Sequence, residues 1–293
     1  MKIGVIGTGL MGAPMVLRLL SSGHRVWVYN RTPSRLKSLE LAGATVCATP
    51  LALAQTVDSV ILMLTDFQAI QSLLLDDLAS STAQPTALPL AGCTIIQMGT
   101  IAPTQSQALA KGFAQVGASY LEAPVLGSIP EAKNGKLIVM VGAEADQYQR
   151  WQPLLADLGT SVYHVGPVGT AAALKLAMNQ LIGSLTAAFA QSLALVQQVG
   201  LDVDTFMAVV RQSALYAPTF DKKLQRMQTR NFADPNFPAK HLLKDMSLFI
   251  EAAQALGVDT LPAESIRQII AQAVDAGFGD DDYAALFNII NPE

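Results

Sequence analysis

Along the first 165 residues, short apolar runs alternate with stretches whose apolar positions recur at helical spacing. Lys2–Ile6, residues 44–47, 59–64, 94–98, 120–123, 137–141 and 162–165 read as strands, as does Arg25–Tyr29, with Val26 and Val28 facing one way. Between them, residues 13–21, 50–55, Phe67–Leu74, 104–116 and 144–158 read as helices, and 80–89 as a polar, proline-bearing loop. Repeated βα units predict an α/β fold, with a doubly wound, mainly parallel sheet and helices on both faces.

After about residue 165 the alternation stops. Gly166, Pro167 and Gly169 form a turn, and an Ala/Leu-rich run then predicts one long helix ending at Gly200. Lys175 is its single charged side chain, with Asn179 one turn on and Gly183 one turn beyond, which makes a small, polar face. Buried, such a lysine needs a compensating partner or a lowered pKa. This places it in the cleft between two domains joined by the helix; the alternative is a surface lysine whose stem lies along apolar neighbours. A membrane span is disfavoured by Asn179, Gln180, Ser184, Thr186, Gln191, Ser192, Gln197 and Gln198. Further helices are expected over Val203–Gln212, Pro218–Thr229, 239–256 and 262–276, the last two closed by Gly257 and Gly277. Residues 231–238 read as a proline-broken loop, and Asp280 to Asp282 cap a final helix through Ile290. The chain therefore divides into an α/β domain, residues 1–167, and an all-α domain, residues 168–293.

Between the first strand and its helix lies Gly7-Thr8-Gly9-Leu10-Met11-Gly12, a GxGxxG in its βαβ setting. Gly7 permits the tight turn, Gly9 the approach of a pyrophosphate, and Gly12 the close packing of helix on strand. The helix N-terminus adds free N–H groups and a positive dipole end. At the end of the second strand, Asn30-Arg31-Thr32 lacks the acid that binds an NAD ribose. Arg31, with Arg35 nearby, can instead pair with a 2′-phosphate, so NADP(H) is the expected cofactor; the alternative is that both arginines are solvated surface charges. Ligands of such sheets bind beyond the carboxyl ends of the strands, which points to Leu64-Thr65, Gly99-Thr100 and residues 123–128.

Half of the 293 residues are apolar and 14% are charged, a composition for a large core and against disorder. The net charge of −4 and the absence of a Lys/Arg run argue against nucleic acid. Cys47 and Cys93 make no disulfide framework, and the N-terminus enters a strand directly, so a cytoplasmic protein is expected. His24, His164 and His241 have no metal-ligand spacing, and no metal is expected. Long helices with so little charge suggest a subunit interface, hence a homodimer or homotetramer.

Several stretches together resemble the β-hydroxyacid dehydrogenases. They are GVIGTGLMGAPM at 4–15, GHRVWVYNRT at 23–32, MGTIAPTQS at 98–106 and YLEAPVLGSIPEAKNGKLIVMVGA at 120–143. GTAAALKLAMNQ at 169–180 and FPAKHLLKDMSL at 237–248 complete the set, and the combination looks most like the glyoxylate/succinic semialdehyde reductase branch. The resemblance implies that Lys175 is catalytic and that Asn179 helps to hold the substrate. Thr100 would contact the nicotinamide half of the cofactor, Leu64 and Thr65 line its path, and Lys244 reach over it. The backbone N–H groups of 124–128, with Val125, Leu126, Gly127 and Ser128, would hold the substrate carboxylate. Two departures bear on these roles. Leu126 stands where the family usually has serine, which removes a side-chain donor and bears on substrate preference. Gly99 stands where serine is frequent. The implied reaction is NADPH-dependent reduction of the aldehyde or keto group of a small carboxylic acid such as glyoxylate or succinic semialdehyde, with Lys175 as proton donor. 3-Hydroxyisobutyrate dehydrogenation, reduction of imines or larger carbonyls, and a non-catalytic NADP-binding role are the alternatives.

Overall fold

The computed structural model describes residues 1–76 and 88–292, so most of the predicted loop at 80–89 lies outside the described residues. Nine strands form one sheet: β1 Lys2–Ile6, β2 Arg25–Tyr29, β3 Thr45–Val46, β4 Ser59–Leu62, β5 Thr94–Gln97, β6 Ser119–Glu122, β7 Val125–Leu126, β8 Ile138–Gly142 and β9 Ser161–Gly166. Their order is β3-β2-β1-β4-β5-β6-β8-β7, with β9 also paired to β8. The first six are parallel, in the strand order of a doubly wound dinucleotide fold. β8 runs antiparallel to β6 and β7, and β9 parallel to β8.

The period of two along each strand separates two cores. Ile3, Val5, Val26, Val28, Ile61, Ile96 and Leu121 pack on one face; Ile6, Trp27, Val60, Leu62, Ile95 and Tyr120 pack on the other. The first face is covered by α1 Gly12–Ser21 and α7 Ala145–Leu158, through Met15, Leu19, Trp151 and Leu155. The second is covered by α3 Pro50–Ala54, α4 Phe67–Leu74 and α5 Pro103–Gln115, through Leu53, Ile70, Leu109 and Phe113. Helices α2 Lys37–Leu41 and α6 Ile129–Lys133 are short and carry no long apolar period that the sequence pattern would register. The two-residue strand β7 escapes the pattern for the same reason.

The predicted long helix is α8, Thr170–Gln198. Packing divides the chain into two compact units, Met1–Lys175 and Leu176–Glu293. The start of α8 belongs with the sheet unit because the buried Glu122, last residue of β6, accepts the N–H groups of Gly169, Ala171 and Ala172. The second unit is helical: α9 Val203–Gln212, α10 Pro218–Thr229, α11 Ala239–Ala255, α12 Leu261–Ala273 and α13 Leu286–Ile290, with one isolated bridge, Pro238 to Asp282. Phe189, Leu193, Met207, Met246, Ile270 and Phe287 are among its core residues. The helix expected over 262–276 is α12 followed by a π-turn at Val274–Phe278, in which Gly277 takes φ +96°. Asp282 does act as a cap, accepting from the Ala284 N–H at 3.1 Å, but it opens a 3-10 turn before α13. Among the described residues no helix is long and apolar enough to cross a membrane.

Candidate functional site

The loop between β1 and α1 is a backbone junction. A Cβ at Gly7 (φ +94°) would stand 2.3 Å from the Met63 carbonyl oxygen, and one at Gly12 only 1.9 Å from the Gly7 carbonyl oxygen. Both residues must therefore be glycine for β1, the end of β4 and α1 to meet. At Gly9, among the described residues, an added Cβ would have only Arg35 Nη1 within 4 Å, at 4.0 Å, so this residue presents open backbone. Thr8 is buried, and its Oγ1 has no hydrogen-bond partner among the described residues. Met11 precedes α1 and gives no side-chain cap. Leu10 is exposed and Met11 half-buried. Uncapped N–H groups, a spare hydroxyl and a guanidinium above bare backbone fit the pyrophosphate of a dinucleotide.

At the end of β2, Asn30 Nδ2 donates to the Thr32 carbonyl at 3.2 Å, and Arg31 and Thr32 are exposed. A 3-10 turn at Pro33–Arg35 then brings Arg35 back toward Gly9. The exits of β1, β4 and β5 converge. An added Cβ at Gly7 would lie 3.1 Å from the Leu64 side chain, and one at Gly99 only 2.4 Å from the Leu64 carbonyl oxygen. Gln97 fixes the second loop, accepting the Gly99 N–H at 2.7 Å and donating to its carbonyl at 3.1 Å. Thr100 follows half-buried, and Thr65 is exposed.

The segment after β6 is less open than a free loop. Val125 and Leu126 are strand residues in register with Val139 and Ile138. Ser128 gives both its N–H (2.8 Å) and its hydroxyl (2.7 Å) to Glu131 Oε2, capping α6. Neither donor of Ser128 is therefore spare, and exposed Gly127 stands between the strand and the cap.

Lys175 is half-buried. In the second unit, Asn179 is 1% exposed and donates its Nδ2 to Asp245 Oδ2 at 2.6 Å. Asp245 is also buried, and Lys244 Nζ lies 2.8 Å from its other oxygen. A carboxylate only accepts, so it turns the Asn179 amide nitrogen toward itself. That leaves Asn179 Oδ1 buried with no partner among the described residues. His241, on the same helix, is half-buried; burial foremost, then Lys240, holds its pKa below the ordinary imidazole value.

Sequence reasoning attached no role to Glu122, Gln97 or Asp245. The signal for the first was available: one acid closing a short strand, SYLE, that continues into apolar Ala123. Asp245 lies in a quoted motif, but its bond to Asn179 links residues 66 positions apart, which no local pattern records.

Residues 2–166 match the family described as the NAD binding domain of 6-phosphogluconate dehydrogenase. Residues 169–290 match the NAD-binding domain of NADP-dependent 3-hydroxyisobutyrate dehydrogenase. The chain is 32% identical to glyoxylate/succinic semialdehyde reductase 2, chloroplastic, of Arabidopsis thaliana, over 99% of this chain and 79% of that protein. It is 30% identical to glyoxylate/succinic semialdehyde reductase 1 of the same plant, over 99% and 98%. The fold is that of a crystal structure of 3-hydroxyisobutyrate dehydrogenase from Salmonella typhimurium, with a TM-score of 0.85 at 23% identity over 98% and 99% of the two chains.

Proposed function

The chain belongs to the NAD(P)-dependent β-hydroxyacid dehydrogenases, and from that premise we propose that it is an NADPH-dependent reductase of a small carboxylic acid bearing an aldehyde or keto group, glyoxylate or succinic semialdehyde foremost. One observation carries this reading most. Half-buried Lys175 precedes by one helical turn an asparagine whose amide oxygen is buried and has no partner among the described residues. A proton donor and an acceptor at that spacing suit a carbonyl on its way to an alcohol.

The cofactor would lie on Gly7 to Gly12, with the Thr8 hydroxyl and Arg35 toward its pyrophosphate. Arg31, Asn30 and Thr32 would take the 2′-phosphate, and Leu64, Thr65, Thr100 and Lys244 the path to the nicotinamide. Bound NADPH supplies the hydride that reduces the carbonyl carbon. Lys175 stabilises the negative charge growing on the carbonyl oxygen and donates the proton there. Asn179 Oδ1 accepts from the hydroxyl that results. Gly127 is the backbone donor we assign to the substrate carboxylate, because both donors of Ser128 serve Glu131. Val125 and Leu126 form the adjoining wall. A second reading, reduction of an imine or a larger carbonyl, is favoured by the apolar Leu126 side chain at that wall.

The test is an assay with NADPH and NADH against glyoxylate, succinic semialdehyde, tartronate semialdehyde and the 3-hydroxyisobutyrate couple. Turnover of one of the first two with NADPH, at a lower KM than with NADH, is expected. Lys175→Ala should lower kcat by about 10²–10⁴-fold, the range for a lost general acid, and leave the Kd of NADPH unchanged. Wild-type kcat in that variant would remove Lys175 from the chemistry.

A further inference from the structure

Most helices that are capped by a side chain take it from a neighbour in sequence. The cap of α8 comes from far away. Glu122 Oε1 accepts the N–H of Gly169 at 2.8 Å, of Ala171 at 2.8 Å and of Ala172 at 3.1 Å, across separations of 47, 49 and 50 residues. Its Oε2 accepts the Ser106 hydroxyl, and Ser106 Oγ lies 2.8 Å from the Tyr120 hydroxyl. Four donors surround a carboxylate that is 2% exposed. Burial raises its pKa and these hydrogen bonds oppose the rise. Room for it is reserved: a Cβ at Gly142 would meet Glu122 Oε1 at 2.3 Å.

A local cap would satisfy the same N–H groups without tying the helix to anything. This one ties the first turn of α8 to the last residue of β6. In an α-helix the Lys175 N–H bonds to the Ala171 carbonyl, so the peptide held by Glu122 is one hydrogen bond from the lysine backbone. The chain leaving Glu122 in the other direction is Ala123 to Ser128, the segment assigned to the substrate carboxylate. One residue therefore sets both the lysine and the segment that would hold the substrate.

We propose that Glu122 is a positioning residue for the reaction: its carboxylate fixes the first turn of α8 against the end of β6 and so sets the reach of Lys175 relative to the 124–128 segment. The inference rests on Lys175 being the proton donor. Misplacement by about 1 Å at a reacting centre can cost ~100-fold in rate.

The experiment compares Glu122→Gln, Gly142→Ala and Lys175→Ala, with each of the first two also combined with the third. Gly142→Ala displaces the carboxylate by bulk and leaves its charge in place, so it tests the idea should the Gln variant fold poorly. We expect kcat to fall at least tenfold in Glu122→Gln and Gly142→Ala, with the Kd of NADPH, read by fluorescence, within threefold of wild type. Neither should lower further the residual rate of Lys175→Ala. Wild-type kcat in both, beside an inactive Lys175→Ala, would overturn this inference alone. A further loss in the Lys175→Ala background would also overturn it, since Glu122 would then act by another route. Wild-type turnover by Lys175→Ala itself would remove the assignment of the proton donor and this inference together.

Discussion

Arg31 stands where an NAD site places an acid, and it is exposed, so its charge acts through solvent on whatever binds the Gly7–Gly12 loop. A charge-assisted hydrogen bond to phosphate contributes about 1.5–3 kcal/mol, less where water screens it. Arg31→Ala is accordingly expected to raise the KM for NADPH about tenfold and to leave that for NADH nearly unchanged; equal effects on the two cofactors would show that Arg31 does not read the 2′-phosphate. At this scale much was legible. Glycines at 7, 9 and 12, the missing acid after β2 and a lone lysine in an uncharged helix are statements about residue type and spacing. The orientation of the Asn179 amide was not, because it depends on Asp245 lying against it in three dimensions. Nor was the commitment of Ser128 to Glu131, although the S-x-x-E spacing of a capping box was present in the sequence.

Among elements, the sequence indicated strands by buried runs and helices by period, and it failed where an element is too short to have one. Strand β7 has two residues and α6 five, yet together they convert the expected loop after β6 into a paired strand and a capped turn. Gly99 is explained at the same scale. The turn after β5 presses on the turn after β4, and a Cβ there would stand 2.4 Å from the Leu64 carbonyl oxygen. Gly99→Ser should therefore lower stability by about 1–3 kcal/mol through overpacking. A urea-denaturation midpoint checks it, and an unchanged midpoint would show that the Leu64 turn yields freely.

For the molecule as a whole, each unit has its own apolar core, and the units differ in the charges they bury. The sheet unit carries two apolar cores on opposite faces of its sheet. The helical unit includes a buried ion pair: Lys223 Nζ lies 2.7 Å and 2.8 Å from the two oxygens of Asp282 and 4.1 Å from the centre of the Tyr283 ring. Desolvation lowers the Lys223 pKa, and Asp282 opposes that. Removing one partner strands the other charge in a buried site, at a cost of about 3–5 kcal/mol. Lys223→Met should show that loss in chemical denaturation, and a change below about 1 kcal/mol would mean that water reaches Asp282. The division at Lys175 falls inside α8, within the helix that the sequence pattern predicts to join two domains.

The polar file that ends on Glu122 has a direction. As a carboxylate, Glu122 accepts the Ser106 hydroxyl hydrogen, which leaves Ser106 Oγ to accept the Tyr120 hydroxyl 2.8 Å away. An amide at position 122, its oxygen kept by the α8 N–H groups, would present hydrogens to Ser106 and turn the Ser106 hydroxyl away. The chemistry at one strand end is thus written into the rotamer of a hydroxyl on a neighbouring helix, and an amide of the same shape could not leave that arrangement undisturbed.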